Sequence, residues 1–227
     1  MKKTEPAPSS TLPRGFRYAG MNCGLRKPPA LDLGLILADE PVSAGGVFTQ
    51  NRVQAAPVLL CKRNLQQAAG RIRAVIVNSR NANCSTGPAG MKAAEDTAAA
   101  VARAAGCDPE QVLVCSTGVI GLPLRVHKIL RAVPALSQEA KRKAANFNHF
   151  ARAIMTTDTR TKWAAARCHL GTRSVRVLGC AKGAGMIHPN LATMLVYVVT
   201  DAAIRPSVLQ RAVFQVARTT FNAITVD

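Results

Sequence analysis

Lys182-Gly183-Ala184-Gly185-Met186-Ile187-His188-Pro189-Asn190-Leu191-Ala192-Thr193-Met194-Leu195 joins a glycine-rich turn, a loop anchored by Pro189 and the small residue Ala192 to a threonine. Thr193 opens the apolar run from Met194 to Val199, whose β-branched content predicts a buried strand. A threonine that is to become a new chain N-terminus needs this setting. The peptide bond before it must be strained and accessible, and the strand behind it must hold the hydroxyl rigid. A free threonine amine beside its own hydroxyl then supplies base and nucleophile within one residue. Without the preceding loop, Thr193 reads as a strand-favouring residue in a buried β-run.

Working outward, short apolar runs at 33–38, 46–49, 56–60 and 74–77 are bounded by Gly, Pro, Asp or Asn and predict strands. An alanine-rich helix is predicted over 89–105, closing at Gly106, and a strand over 111–115 feeds Ser116-Thr117-Gly118-Val119-Ile120-Gly121. Helices follow at 124–133 and 138–154, strands at 174–178 and 193–200, and a helix at 206–221 with Pro206 at its start. No internal repeat interrupts this order. The pattern predicts a mixed α/β layered domain with long helices covering a sheet. Residues 1–12, polar and proline-bearing, read as a loose arm. The closing Ala223-Ile224-Thr225-Val226-Asp227 is apolar, without turn or cap, and reads as a truncated end or a terminal strand.

The bulk numbers narrow the function classes. The 227 residues are 48% hydrophobic and 19% charged, in the range of globular domains. No apolar run approaches a membrane span, and no apolar stretch follows Lys2 and Lys3 as a secretory signal requires. A cytoplasmic location is the expectation. Seven cysteines form no C-x-x-C pair and no zinc-type cluster, so they read as reduced, mostly buried thiols with no metal. The net charge of +18, from 30 Lys and Arg against 12 Asp and Glu, is the bulk anomaly. It fits an acidic partner or nucleic acid. Aromatic residues make up only 4%, and Tyr18, Trp163 and Tyr197 are not interleaved with basic residues as a base-stacking platform requires. A basic binding protein therefore stands as a minor reading, and no nucleic-acid partner is expected.

The opening stretch resembles the self-cleaving centre of the ornithine acetyltransferase/glutamate N-acetyltransferase family of arginine biosynthesis. Three further stretches agree, in the same order: Ala44-Gly45-Gly46-Val47-Phe48-Thr49 with Asn51-Arg52-Val53, Ser116-Thr117-Gly118-Val119-Ile120-Gly121, and Ile154-Met155-Thr156-Thr157-Asp158-Thr159. The resemblance runs from about Gly15 to Asp227. It implies an αββα-like layered sandwich, a self-cleaving relative of the N-terminal-nucleophile fold, with the C-terminal part missing. It implies cleavage between Ala192 and Thr193, leaving an α-chain region (13–192) and the start of a β chain (193–227). Thr193 would be the nucleophile, carrying acetyl from N-acetylornithine to glutamate. Thr117 and Gly118 match the oxyanion hole, and Thr156, Lys182 and Thr193 match substrate-binding positions. No cofactor is implied, acetyl-CoA entering only as a second acetyl donor. An α2β2 assembly of the two chains is implied as well.

Taken singly, the same residues have plainer readings. Thr117 with Gly118 is also a strand-to-helix turn with a capping threonine, Lys182 a solvent-facing lysine, and Thr156 a helix-end threonine. His188 reads as structural, shaping the loop before Pro189, and His127, His149 and His169 as surface residues. In Asn78-Ser79-Arg80-Asn81-Ala82-Asn83, arginine stands where the family usually has glycine. If that position needs a positive φ, Arg80 is strained there, and its cation changes what the pocket admits. The rival functions are an N-terminal-nucleophile amidase or aminopeptidase and a catalytically dead fragment.

Overall fold

The computed structural model describes residues 7–185, 187 and 193–226. Two sheets are stacked. The first runs β1 (Phe16–Met21), β2 (Leu33–Ser43), β3 (Arg71–Asn78) and β4 (Val112–Ser116) in sequential order. β1, β2 and β3 are antiparallel neighbours, whereas β4 lies parallel to β3. The β3–β4 crossover is the long helix α2 (Gly87–Ala105), as a parallel pair requires. The second sheet is the antiparallel set β5 (Lys162–Leu170), β6 (Arg173–Lys182) and β7 (Leu195–Thr200).

The first sheet is buried on both faces, which explains its near-continuous apolar runs. Leu33, Leu35, Leu37, Ala74, Ile76, Val112 and Val114 face α1 (Ala56–Gln67), α2 and α3 (Val126–Glu139). Tyr18, Ile36 and Val77 face the other way, towards Leu178 and Cys180 of the second sheet. Strand alternation thus divides one apolar segment between two cores. Helix α4 (Ala144–Ala153) wedges into the second core: Phe147 meets Tyr18 edge-on at 5.3 Å, and Phe150 meets Tyr197 of β7 at 5.4 Å. Glycines in β1 and β2 admit this helix. A Cβ on Gly20 would lie 2.3 Å from the His149 carbonyl oxygen, and one on Gly34 would lie 2.8 Å from the Phe150 ring. Helix α5 (Pro206–Thr219) is tied to the loop before α1, where the Gln210 amide bonds both the N–H and the carbonyl of Gly46.

The layered α/β sandwich agrees with the expectation, but several elements differ. Residues 56–60 form the first turn of a helix, not a strand. Pro57 sits at its start, and Leu60, Cys61 and Asn64 recur at helical spacing on the buried side. Residues 46–49 form no strand. The predicted helix over 138–154 is broken, because the Lys141 backbone pairs with Tyr18 and turns the chain before α4. β1 and β5 were not anticipated; β5 is exposed from Ala164 to His169 and carries no buried-face alternation. Within the expected loose arm, Ala7 and Leu12 are buried in the second core. Only Cys61 and Cys180 are buried, Cys168 is exposed, and all seven thiols are free.

Candidate active site

Strands β3 and β4 end side by side, with Asn78 opposite Ser116, and the residues beyond them form one clamped double loop. The Asn78 carbonyl accepts from Thr117 N–H at 3.0 Å, and its side-chain oxygen accepts from the Ser116 hydroxyl at 2.6 Å. The Arg80 carbonyl accepts from Val119 N–H at 3.0 Å. The amides on both sides of Gly118 are therefore engaged. Gly118 has φ +136°, and a Cβ there would lie 2.1 Å from the Arg80 carbonyl carbon. Both the conformation and the close approach require glycine. Asn81 locks the arrangement through its amide to the Leu122 carbonyl and its oxygen to Asn83 N–H.

Lys182 is the last residue of β6, opposite Leu195 of β7, and its side chain reaches across to the first sheet. Its ammonium donates to the Thr117 hydroxyl oxygen at 2.8 Å and to the Thr193 carbonyl at 3.5 Å. One buried cation, 3% exposed, thus joins the ends of the two sheets. Burial pulls the Lys182 amine below its usual value; Asp158 opposes that and Lys162 adds to it. Because Thr117 Oγ accepts from an ammonium, its own hydrogen is left to donate elsewhere. The charge also polarises that hydroxyl, making it a better donor.

Asp158 organises the next layer. Its side chain is 1% exposed; one carboxylate oxygen accepts from Gly183 N–H at 2.9 Å and pairs with Lys162, and the other accepts from Thr156 N–H at 3.3 Å. Lys162 also donates to the Gly183 carbonyl at 2.9 Å. Burial alone would raise the Asp158 carboxyl, but these hydrogen bonds and the Lys162 charge outweigh it and hold the group below its usual value. Asp158 and Lys162 therefore fix the Gly183 turn that delivers Lys182. Asp158 was legible only as part of Thr156-Thr157-Asp158-Thr159; its role depends on β6 passing overhead. Thr156 is half-buried beside a cavity of about 160 Å³ that Arg26, Arg152 and Asp158 also line.

The expected site residues are thus brought together unequally. Lys182 joins the Thr117 hydroxyl to the Thr193 carbonyl, Gly118 lies beside Thr117, and Thr156 is linked to them through Asp158. Thr193 is exposed, with φ +64°, and Arg80 has φ +83°. A left-handed backbone at a bulky or β-branched residue costs on the order of 1–3 kcal/mol, so strain is concentrated on both sides of the Thr117–Gly118 loop. Ala192 and His188 lie outside the described residues. His127, His149 and His169 are exposed. Among the described residues no His, Cys, Asp and Glu cluster could hold a metal ion, and no helix is long and apolar enough to cross a membrane.

Residues 17–227 match the model of the ArgJ family. The arginine biosynthesis bifunctional protein ArgJ of Geobacter sulfurreducens is 47% identical over 214 residues, covering 94% of this chain and 53% of that protein. Its counterpart in Chlorobaculum tepidum is 47% identical over 224 residues, covering 98% and 55%. The chain spans about half the length of the curated relatives it matches. Among solved structures, the ArgJ protein of Bacillus halodurans superposes with a TM-score of 0.77 at 35% identity, covering 84% of this chain and 97% of that one. The Mycobacterium tuberculosis ornithine acetyltransferase complexed with ornithine gives 0.69 at 40% identity, covering 80% and 95%. The L-aminopeptidase D-Ala-esterase/amidase of Ochrobactrum anthropi, a variant of the Ntn hydrolase fold, gives 0.56 at 12% identity, covering 98% and 71%, a likeness of fold alone.

Proposed function

This chain belongs to the ArgJ family, and on that premise we propose that it carries the self-cleaving centre of an acetyltransferase of arginine biosynthesis. One observation supports the reading above others: Lys182 bonds the Thr117 hydroxyl and the Thr193 carbonyl at once, holding the residue of the nucleophile and the oxyanion partner, which lie at the ends of different sheets, beside one cation.

The chain's own residues account for each step. Thr193 Oγ attacks the carbonyl carbon of Ala192, the bond to the Thr193 nitrogen breaks, and the resulting ester is hydrolysed by water. The freed α-amine, with a reference pKa of about 7.7–8.0, is partly neutral near physiological pH and serves as base. Thr193 Oγ then attacks the acetyl carbonyl of N-acetylornithine. Negative charge on the acetyl oxygen is met by the Thr117 O–H and the Gly118 N–H, a donor of this kind contributing about 2.7–4 kcal/mol. Ornithine departs with the proton, leaving acetyl on Thr193 Oγ; the glutamate amine attacks that ester and releases N-acetylglutamate. Such a cycle is ping-pong.

Thr156 and Lys182 act in substrate binding, Lys182 through the Thr117 hydroxyl that it orients. We propose acetyl-CoA as a second acetyl donor to glutamate; the relatives carry the name bifunctional. The two cleaved chains assemble as α2β2 in the cytoplasm. The test is mass spectrometry of the protein expressed from its whole gene, together with transfer of labelled acetyl from N-acetylornithine to glutamate. A mature chain starting at Thr193 is expected. A protein that stays intact yet transfers acetyl would overturn the mechanism.

A further inference from the structure

We propose that Arg80 is a specificity-determining residue of this site, a fixed cation that favours an acceptor carrying two carboxylates over the diamine that leaves. The inference rests on the acetyl-transfer reading. Three features lead to it. First, Arg80 holds φ +83° on a backbone that packs against Gly118, where hydrogen bonds from Val119 and Asn78 over-determine the loop. A long side chain in that conformation is unfavourable locally, and strain of this kind concentrates where a site needs it. Second, the Arg80 side chain is exposed, and among the described residues no carboxylate or carbonyl engages its guanidinium. Third, the buried cation Lys182 bonds Thr117, the neighbour of the Gly118 against which Arg80 packs, while Asp158, a buried carboxylate beside Lys182's turn, is already paired with Lys162.

The charges decide the rest. Near neutral pH, glutamate has two carboxylates and one ammonium, net −1, whereas ornithine has two ammoniums and one carboxylate, net +1. Within a Debye length, about 8 Å at physiological salt, Arg80 draws in the first and repels the second. The acetyl-enzyme is thereby biased towards glutamate and against reversal by the ornithine just released.

Arg80→Gly, Arg80→Gln and Arg80→Lys separate charge from strain. Arg80→Gly and Arg80→Gln should raise KM for glutamate about two- to fivefold, the range of an exposed charge interaction, and tighten inhibition by ornithine by a similar factor. Arg80→Lys should stay near the parent. Arg80→Gly should also melt about 2–4 °C higher as the strain is relieved. Raised salt should erase the difference between parent and neutral variants. Opposite shifts for glutamate and ornithine are not what a residue that only shapes the loop produces. If both constants stay unchanged in Arg80→Gly while acetyl transfer persists, Arg80 selects nothing. If the parent transfers no acetyl at all, the reaction reading falls instead. Calorimetric titration of glutamate and ornithine into parent and Arg80→Gly then decides the charge preference alone, equal affinities overturning it.

Discussion

Lys182 carries a charge where a lysine normally has none, between two sheets and away from water. A buried charge without a direct carboxylate partner is destabilising, and replacing it by an apolar side chain of similar volume relieves that. Lys182→Met should therefore leave the fold at least as stable in urea titration, while acetyl transfer falls about a hundredfold with the loss of the polarised Thr117 hydroxyl. Thr117→Ala should lower kcat about 100- to 1,000-fold, and Thr117→Ser should recover most of it, since only the hydroxyl is required. The pH dependence of stability follows from Asp158. Its folded-state pKa is depressed, so it contributes stability above the unfolded carboxylate value and loses it as pH falls through the folded value. Asp158→Asn should be about 2 kcal/mol less stable at neutral pH, with the gap closing in strong acid. Denaturant midpoints at the two pH values test it.

At the scale of elements, α4 sets the spacing between the sheets. It lies against the Gly20 and Gly34 backbones because neither has a Cβ, and it inserts Phe150 against Tyr197 of the strand that follows Thr193. Gly20→Ala forces that helix outward, since the atom it meets is main chain and cannot rotate away. Overpacking of this kind should destabilise by about 1–3 kcal/mol, read as a lower urea midpoint. Sequence reading found the helix but ran it back to residue 138. The pairing of Lys141 with Tyr18 that stops it is non-local and leaves no periodic signature. The 56–60 run misled for the opposite reason: a short apolar stretch fits strand and helix alike, and the sheet had no place for another strand there.

For the whole molecule, the site exists only where the two sheets meet. Thr117 follows the last strand of the first sheet, Lys182 ends β6 of the second and Thr193 lies just before β7, so neither sheet can assemble it alone. Trp163, the single tryptophan, lies in β5 and reports on the second sheet. In denaturant, its fluorescence change and the loss of cleavage at Thr193 should coincide. Cleavage that survives the tryptophan transition would show that the sheets need not be stacked. The charge of +18 does not by itself account for the site, whose cations Lys162 and Lys182 are engaged by Asp158 and by Thr117 and Thr193.

Ordered motifs around the opening stretch were enough to identify the family and the residues to watch. Glycine at 118, proline at 57 and 206, and the alanine-rich α2 are local choices that a sequence displays openly. The tertiary structure decided how those residues act. It brought Lys182 to Thr117, gave Asp158 the task of fixing the Gly183 turn, and showed that the arginine at position 80 sits at positive φ against Gly118. These depend on contacts between segments far apart in the chain, and hydrogen bonds across two sheets are written in no stretch of neighbouring residues.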